Sequence, residues 1–225
     1  MPFGFEKTSV VRFTVLMADS RQGRRGSYAK GVAKREEILE RALEVIAREG
    51  YRGASVKVLA EAVGLSQAGL LHYFDSKEEL FTAIVRKRDE VDMKQYAPEA
   101  FDNATIPTLR EGYVSVIRHN TDVPGLVQLY SQMSVDAADE QHPAHRFFVE
   151  RGENLRGVFA GVIAERAGAG EITDRIDPET LARIFQAVAD GLQLQWMLEP
   201  DVDMAGIVAQ LFDALTQPTT DRNPE

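Results

Sequence analysis

The chain has no cysteine, which excludes disulfide staples, thiolate metal sites and a cysteine nucleophile. Its four histidines, His72, His119, His142 and His145, leave few options for metal chemistry. No apolar run approaches the ~18 residues that a membrane helix needs. Val10 to Ala18 is apolar, but Arg12 interrupts it and no clear cleavage site follows, so a secretory leader is not expected and the cytoplasm is. Strand-like alternation and Asn-Gly hairpin signals are missing, so the expected fold class is all-α. A phosphate-cradling glycine loop, a nucleophile elbow and a triad-like cluster are missing too. Neither catalysis nor a cofactor is expected.

What is present is an uneven charge. The 225 residues, enough for one large or two small domains, carry a net charge of −9, the wrong sign for a partner of nucleic acid. Divided along the chain, the picture changes. Residues 21–88 hold 14 Lys and Arg against 9 Asp and Glu, whereas residues 89–225 hold 10 against 24. The basic third is where phosphate neutralisation is possible.

That third contains SVKVLAEAVGLSQAGLLHYF, Ser55 to Phe74. Small Ala60, Gly64 at a turn that favours positive φ, and apolar Leu59, Val63, Leu65, Leu70 and Tyr73 fit two short helices crossing steeply. Ser55 and Ser66 stand where N-cap hydroxyls would accept unpaired amides. The pattern predicts a helix-turn-helix whose second helix, Gln67 to Tyr73, enters a major groove. An ordinary helical hairpin buries the same face, and the basic surroundings decide against it.

Before this motif, Lys30 to Arg48 reads as a helix stopped by Gly50, with Ile38, Ala42, Val45 and Ile46 on one stripe. After it, Ser76 to Glu79 reads as a capping box opening a helix to about Tyr96. Further helices are expected over about 107–120, 125–136, 144–167, 178–199 and 203–216. Asp177-Pro178 provides an N-cap followed by proline at the first helical position. The expected domains are a flexible extension (1–27, within which Met17 is an alternative start), a DNA-binding domain (28–88), an effector-binding and dimerisation domain (89–216) and a disordered tail (217–225).

KREEILERALEVIAREG, SVKVLAEAVGLSQAGLLHYFDSKEELFTAI and GLQLQWMLEPD together resemble the TetR family of one-component repressors. HPAHRFFVERGENLR and DPETLARIFQAVADGLQLQWMLEPD resemble its choline-responsive, BetI-type subgroup. The resemblance implies a homodimer with two DNA-binding heads, in which the last two helices of each subunit pair into a four-helix bundle. It also implies a repressor released from a pseudo-palindromic operator in double-stranded DNA by a small-molecule effector. The alternatives are a helical DNA-binding protein without such control and, remotely, an enzyme. In one respect the chain departs from many relatives, which carry Leu-Tyr where it has Leu70-Leu71. The phosphate contact of that tyrosine then falls to His72 or Tyr73, or is lost.

Candidate DNA contacts follow from residue chemistry. Gln67 can bond adenine bidentately, Ala68 can touch a thymine methyl, and Gly69 allows close approach. His72 and Tyr73 extend that surface, Tyr73 being equally suited to the core. Lys77 is the best phosphate contact, with Ser55, Lys57 and Ser66 beside it. Arg21, Arg24, Arg25 and Lys30 form a basic arm that suits phosphates or a minor groove and equally a solvated tail.

Candidate effector-lining residues are Tyr113, Ile117, Tyr130, Met133, Phe148, Phe159, Gln186, Asp190 and Trp196. Each is as well suited to plain core. The acidic body favours a cationic or neutral ligand. Candidate dimer residues are Leu181, Phe185, Val188 and Leu192 on one helix, and Ile207, Val208, Leu211, Phe212 and Leu215 on the last. His142 and His145 are expected to decorate a helix start rather than bind metal.

Overall fold

The computed structural model describes residues 25–96, 104–170, 172 and 175–216, with side chains from 29 onward. The expected extension and tail therefore lie almost wholly outside the described residues. Nine helices and no strand occur among those described, so the chain is all-α.

α1 (Arg25–Glu49) begins about a turn and a half before the expected start at Lys30. Its buried stripe, Ile38, Leu39, Ala42, Val45 and Ile46, starts only in the fourth turn. The earlier turns carry no apolar periodicity, which is why the sequence pattern placed the start too late. α2 (Val56–Ala62) and α3 (Gln67–Leu71) pack across this stripe through Leu59, Ala60 and Leu70. Gly64 joins them at φ +69°, a conformation that costs a side-chain-bearing residue energy.

α4 (Lys77–Tyr96) buries Leu80, Phe81, Ile84 and Val85 against the same core. Its cap is half of what was expected. Ser76 Oγ accepts from the Glu79 amide at 3.0 Å, but the Glu79 carboxylate turns away to Arg35. A charged partner 44 residues away offers a stronger hydrogen bond than a neutral backbone amide.

The body comprises α5 (Ile106–Asn120), α6 (Pro124–Asp136), α7 (His145–Gly168), α8 (Pro178–Leu198) and α9 (Met204–Thr216). Side-chain caps at Thr105, Asp177 and Asp203 open α5, α8 and α9. Phe159, Phe185 and Phe212 centre one body core, with the last two rings stacked at 4.4 Å.

Head and body share a core rather than a linker. Leu126, Leu129 and Met133 of α6 join the cluster built by α1 to α4. At the crossing, a Cβ added to Gly125 would lie 2.2 Å from the Ile46 carbonyl oxygen. Only glycine lets α6 approach α1 this closely. α4 makes the second junction, through a buried Arg88. Its Nε lies 3.3 Å from Asp92 Oδ2, while its Nη atoms donate to the Leu126 carbonyl and the Asn120 side chain.

Candidate nucleic-acid interface

α3 ends at Leu71, two residues short of expectation, with His72 as its C-cap. So short a helix has few internal bonds, and its order comes from its ends and its core contact. Ser66 Oγ accepts the Gly69 amide at 3.0 Å, as Ser55 Oγ accepts that of Val58 on α2. Leu70 is fully buried beneath it.

The exit of α3 is held by Arg35, reaching across from α1. Its guanidinium donates to the Tyr73 carbonyl and to Glu79, and lies 4.2 Å from the centroid of the buried Phe74 ring. Sequence reasoning missed Arg35, because nothing local links it to residues some forty positions away.

With the apolar face pinned inward, Ser66, Gln67, Ala68 and His72 stand exposed, and Gly69 is half-buried. Tyr73 is half-buried against the head core, so of its two expected roles the packing role is the one seen. Lys77, Ser55 and Lys57 are exposed beside this surface. Arg25 opens α1, and Arg24 lies outside the described residues.

A concavity of about 460 Å³ opens between the α1–α2 turn and the starts of α2, α3 and α4. Ser55, Lys57, Gln67 and Lys77 are on its wall, together with Arg52, which sequence reasoning passed over. Amide groups at helix starts and lysine side chains around one hollow make a surface suited to phosphate oxygens. Flanking it, Gln67 and Ala68 offer an amide and a methyl to base edges.

The candidate effector residues do not gather in one place. Met133 belongs to the core shared with the head, Ile117 and Trp196 to a second cluster, and Phe159 to a third. Tyr113 bridges the last two and donates to the Phe185 carbonyl at 3.0 Å; burial raises its hydroxyl pKa.

Tyr130, Phe148, Gln186 and Asp190 do meet, between α6, α7 and α8. Tyr130 Oη lies 3.2 Å from both Asp190 Oδ1 and Arg151 Nη1, and its ring centroid is 5.7 Å from that of Phe148. Burial, first among the causes, pushes the Tyr130 hydroxyl up to about 12. Arg151 also grips Asp89 of α4 at 2.6 and 2.9 Å, and Gln186 accepts from Arg156 at 2.8 Å. Burial opposes the charge on Arg151, but Asp89, together with Tyr130 and Asp190, outweighs it and the net pKa is raised.

Of the candidate dimer residues, Leu181, Phe185, Leu192, Val208 and Phe212 are buried in the subunit's own core and have little or no surface to offer a mate. Periodicity marks a helix face as apolar without saying what covers it. Val188, Leu211 and Leu215 are half-buried, and Ile207 is exposed. His142 Nδ1 accepts from the Ala144 amide and His145 Nδ1 lies 2.8 Å from the Ala137 carbonyl, so both serve the turn before α7.

Comparison with known proteins agrees with this geometry. Residues 38–84 match the model for bacterial regulatory proteins of the tetR family. The transcriptional repressor AcnR of Corynebacterium diphtheriae is 27% identical over 159 residues, 70% of this chain and 78% of that protein. AibR, solved with isovaleryl coenzyme A and operator DNA, superposes with a TM-score of 0.54 at 22% identity, over 82% of this chain and 99% of that one. A transcriptional regulator from Saccharomonospora viridis in complex with choline gives 0.60 at 22% identity, over 81% and 95%. With the helix-turn-helix surface in place and the relatives named as regulators, the chain is a DNA-binding transcriptional regulator whose residues 38–84 match the tetR-family model.

Proposed function

We propose that the protein is a repressor that binds a pseudo-palindromic operator as a homodimer and releases it when a small molecule enters the α5–α9 body. The carrying observation is the exposure of Ser66, Gln67, Ala68 and His72 on an α3 whose other face is locked into the head. Two such heads would read successive major grooves ~34–36 Å apart.

Dimerisation is supported by the apolar surface that the subunit leaves uncovered on its last two helices. Leu194 and Leu198 on α8 are 57% and 76% exposed, and Ile207 on α9 is 42% exposed. Ala187 and Gly191 share the α8 stripe at helical spacing, where small side chains would let a mate's helices approach.

For the effector, the Tyr130–Asp190–Gln186 cluster is the best-supported location. A cationic ligand of the choline type would set its charge near Asp190, with the Tyr130 and Phe148 rings beside it. Occupancy there would load two routes to the head. One is Arg151 to Asp89 on α4; the other is Tyr130 on α6, whose start abuts α1. Switching the heads from mostly competent to mostly incompetent takes ~5.5 kcal/mol of differential affinity.

Gel shifts of genomic fragments at several salt concentrations, followed by addition of candidate metabolites, test the reading. Retardation that weakens with salt, and is reversed by one metabolite, is expected. Failure to retard any fragment would refute DNA binding. Retardation that no metabolite reverses would leave a DNA-binding protein without effector control.

A further inference from the structure

Most cations of the head are already engaged within the subunit. Lys34 lies against Glu37, Arg35 against Glu79, Arg41 against Glu44, Arg48 against Glu49, and Lys87 against Glu36. A cation so paired has little net charge to offer a phosphate. Arg52 differs: among the described residues it has no carboxylate within salt-bridge distance, and it is exposed. Two others on the same hollow are close to free. Lys57 reaches Glu61 only at 3.9 Å, both side chains being mostly exposed, and Lys77 faces the Phe81 ring at 5.8 Å. Lys30 and Arg86 also lack a carboxylate partner among the described residues, Arg86 lying against the Phe147 ring. But Arg52, Lys57 and Lys77 stand together on the wall of a concavity that abuts the start of α3.

The turn that carries Arg52 is fixed from below. Tyr51 packs edge-on against Phe81 of α4, with ring centroids 6.0 Å apart. The Ala54 amide donates back to the carbonyls of Gly50 and Tyr51 at 3.2 Å, and Ala54 is 1% exposed. The backbone at residue 52 is therefore presented at one position relative to the recognition helix, and only the side chain is left to order on binding.

We infer that Arg52 is a DNA-contacting residue, which with Lys57 and Lys77 seats a backbone phosphate beside the base-reading start of α3. It sets affinity and register without reading sequence. This inference rests on the head being the DNA-binding surface. A phosphate contact leaves a signature that a structural residue does not: each one adds about 0.9 to the steepness of log K against log salt.

The test is fluorescence anisotropy of the full-length protein with a labelled random-sequence duplex of about 30 base pairs, between about 50 and 200 mM salt. Arg52→Gln should flatten the slope by about 0.9, so that its deficit relative to wild type shrinks about three-fold across that range. Arg52→Lys should keep the wild-type slope, because it keeps the charge. Arg41→Gln, which removes an exposed and paired arginine away from the hollow, should also keep it. The melting temperature of Arg52→Gln should match wild type, since no partner is lost. An Arg52→Gln slope equal to wild type overturns the assignment of Arg52 while leaving the head as the DNA-binding surface. Wild-type protein with no salt-dependent binding overturns both.

Discussion

Gly125 shows how much can rest on one missing side chain. α6 starts hard against the end of α1, and a methyl group at 125 would fall 2.2 Å from the Ile46 oxygen and 2.8 Å from Gly50 Cα, both backbone atoms that cannot step aside. Gly125→Ala should therefore destabilise by about 1–3 kcal/mol, the range for an overpacked interior, despite alanine's better helix propensity. Thermal unfolding reads this as a clear fall in Tm; an unchanged or higher Tm would mean that the α1–α6 contact is looser than described. Asp190 offers a residue-scale test of another kind. Burial raises its carboxyl above the usual range, against the pull of Arg151 and the hydrogen bonds from Tyr130 and Gln186. A raised folded value means that the folded state holds the proton more tightly than the unfolded chain does. The resulting stabilisation is complete below the unfolded pKa of about 3.9, and is lost as pH rises through the folded value. Asp190→Asn cannot titrate. Its stability relative to wild type should therefore grow as pH rises from about 4 to 7, as read from urea midpoints. A flat or falling difference would contradict the buried placement.

Among the elements, α4 has the most distinctive position, since its first half supports the proposed DNA-reading surface and its second half is anchored in the body. The anchor is a pair of charges in a dry place. Burial is the largest influence on both, lowering the Arg88 pKa and raising that of Asp92. Breaking such a pair from one side costs more than removing it whole. Asp92→Asn should cost about 3–5 kcal/mol in urea unfolding by leaving the guanidinium uncompensated, whereas Arg88→Met with Asp92→Leu should recover most of that. Equal losses in the two would show that the pair is wet. Which elements form was legible in the sequence wherever the signals are local. The Ser55 and Ser66 caps, Gly64 at its positive φ and the Asp177-Pro178 start are all seen. What was illegible depends on contacts between distant segments. The Glu79 side chain was assigned to its own helix cap and instead meets Arg35, and neither Gly125 nor Arg52 stands out in sequence from any other loop-edge residue.

At the scale of the molecule, the last two helices show the same limit. Leu181 and Leu194 are both leucines on an amphipathic α8, yet one is wholly buried in the subunit and the other is mostly exposed. Hydrophobic periodicity cannot separate a face that covers its own core from one that awaits a mate. Exposure can. Leu194→Glu with Leu198→Glu should leave secondary structure intact and shift the proposed dimer to monomer in sedimentation, because neither side chain supports the subunit's interior. A particle whose mass does not change would place the subunit contact elsewhere. The charge is uneven at this scale too, with an acidic body and a head that sets Arg52, Lys57 and Lys77 around a hollow at the α3 start.

The central claim is that residues 66–77 present a base-reading helix to duplex DNA. It is tested most directly by repeated selection of binding sites from a random duplex pool, with wild-type protein and with Gln67→Ala/His72→Ala in parallel. Wild type should enrich a two-fold symmetric sequence whose half-sites lie ~34–36 Å apart, and the variant should lose that sequence preference while keeping weak, salt-sensitive binding. The same motif enriched equally by both proteins, or no motif from either, would contradict the account.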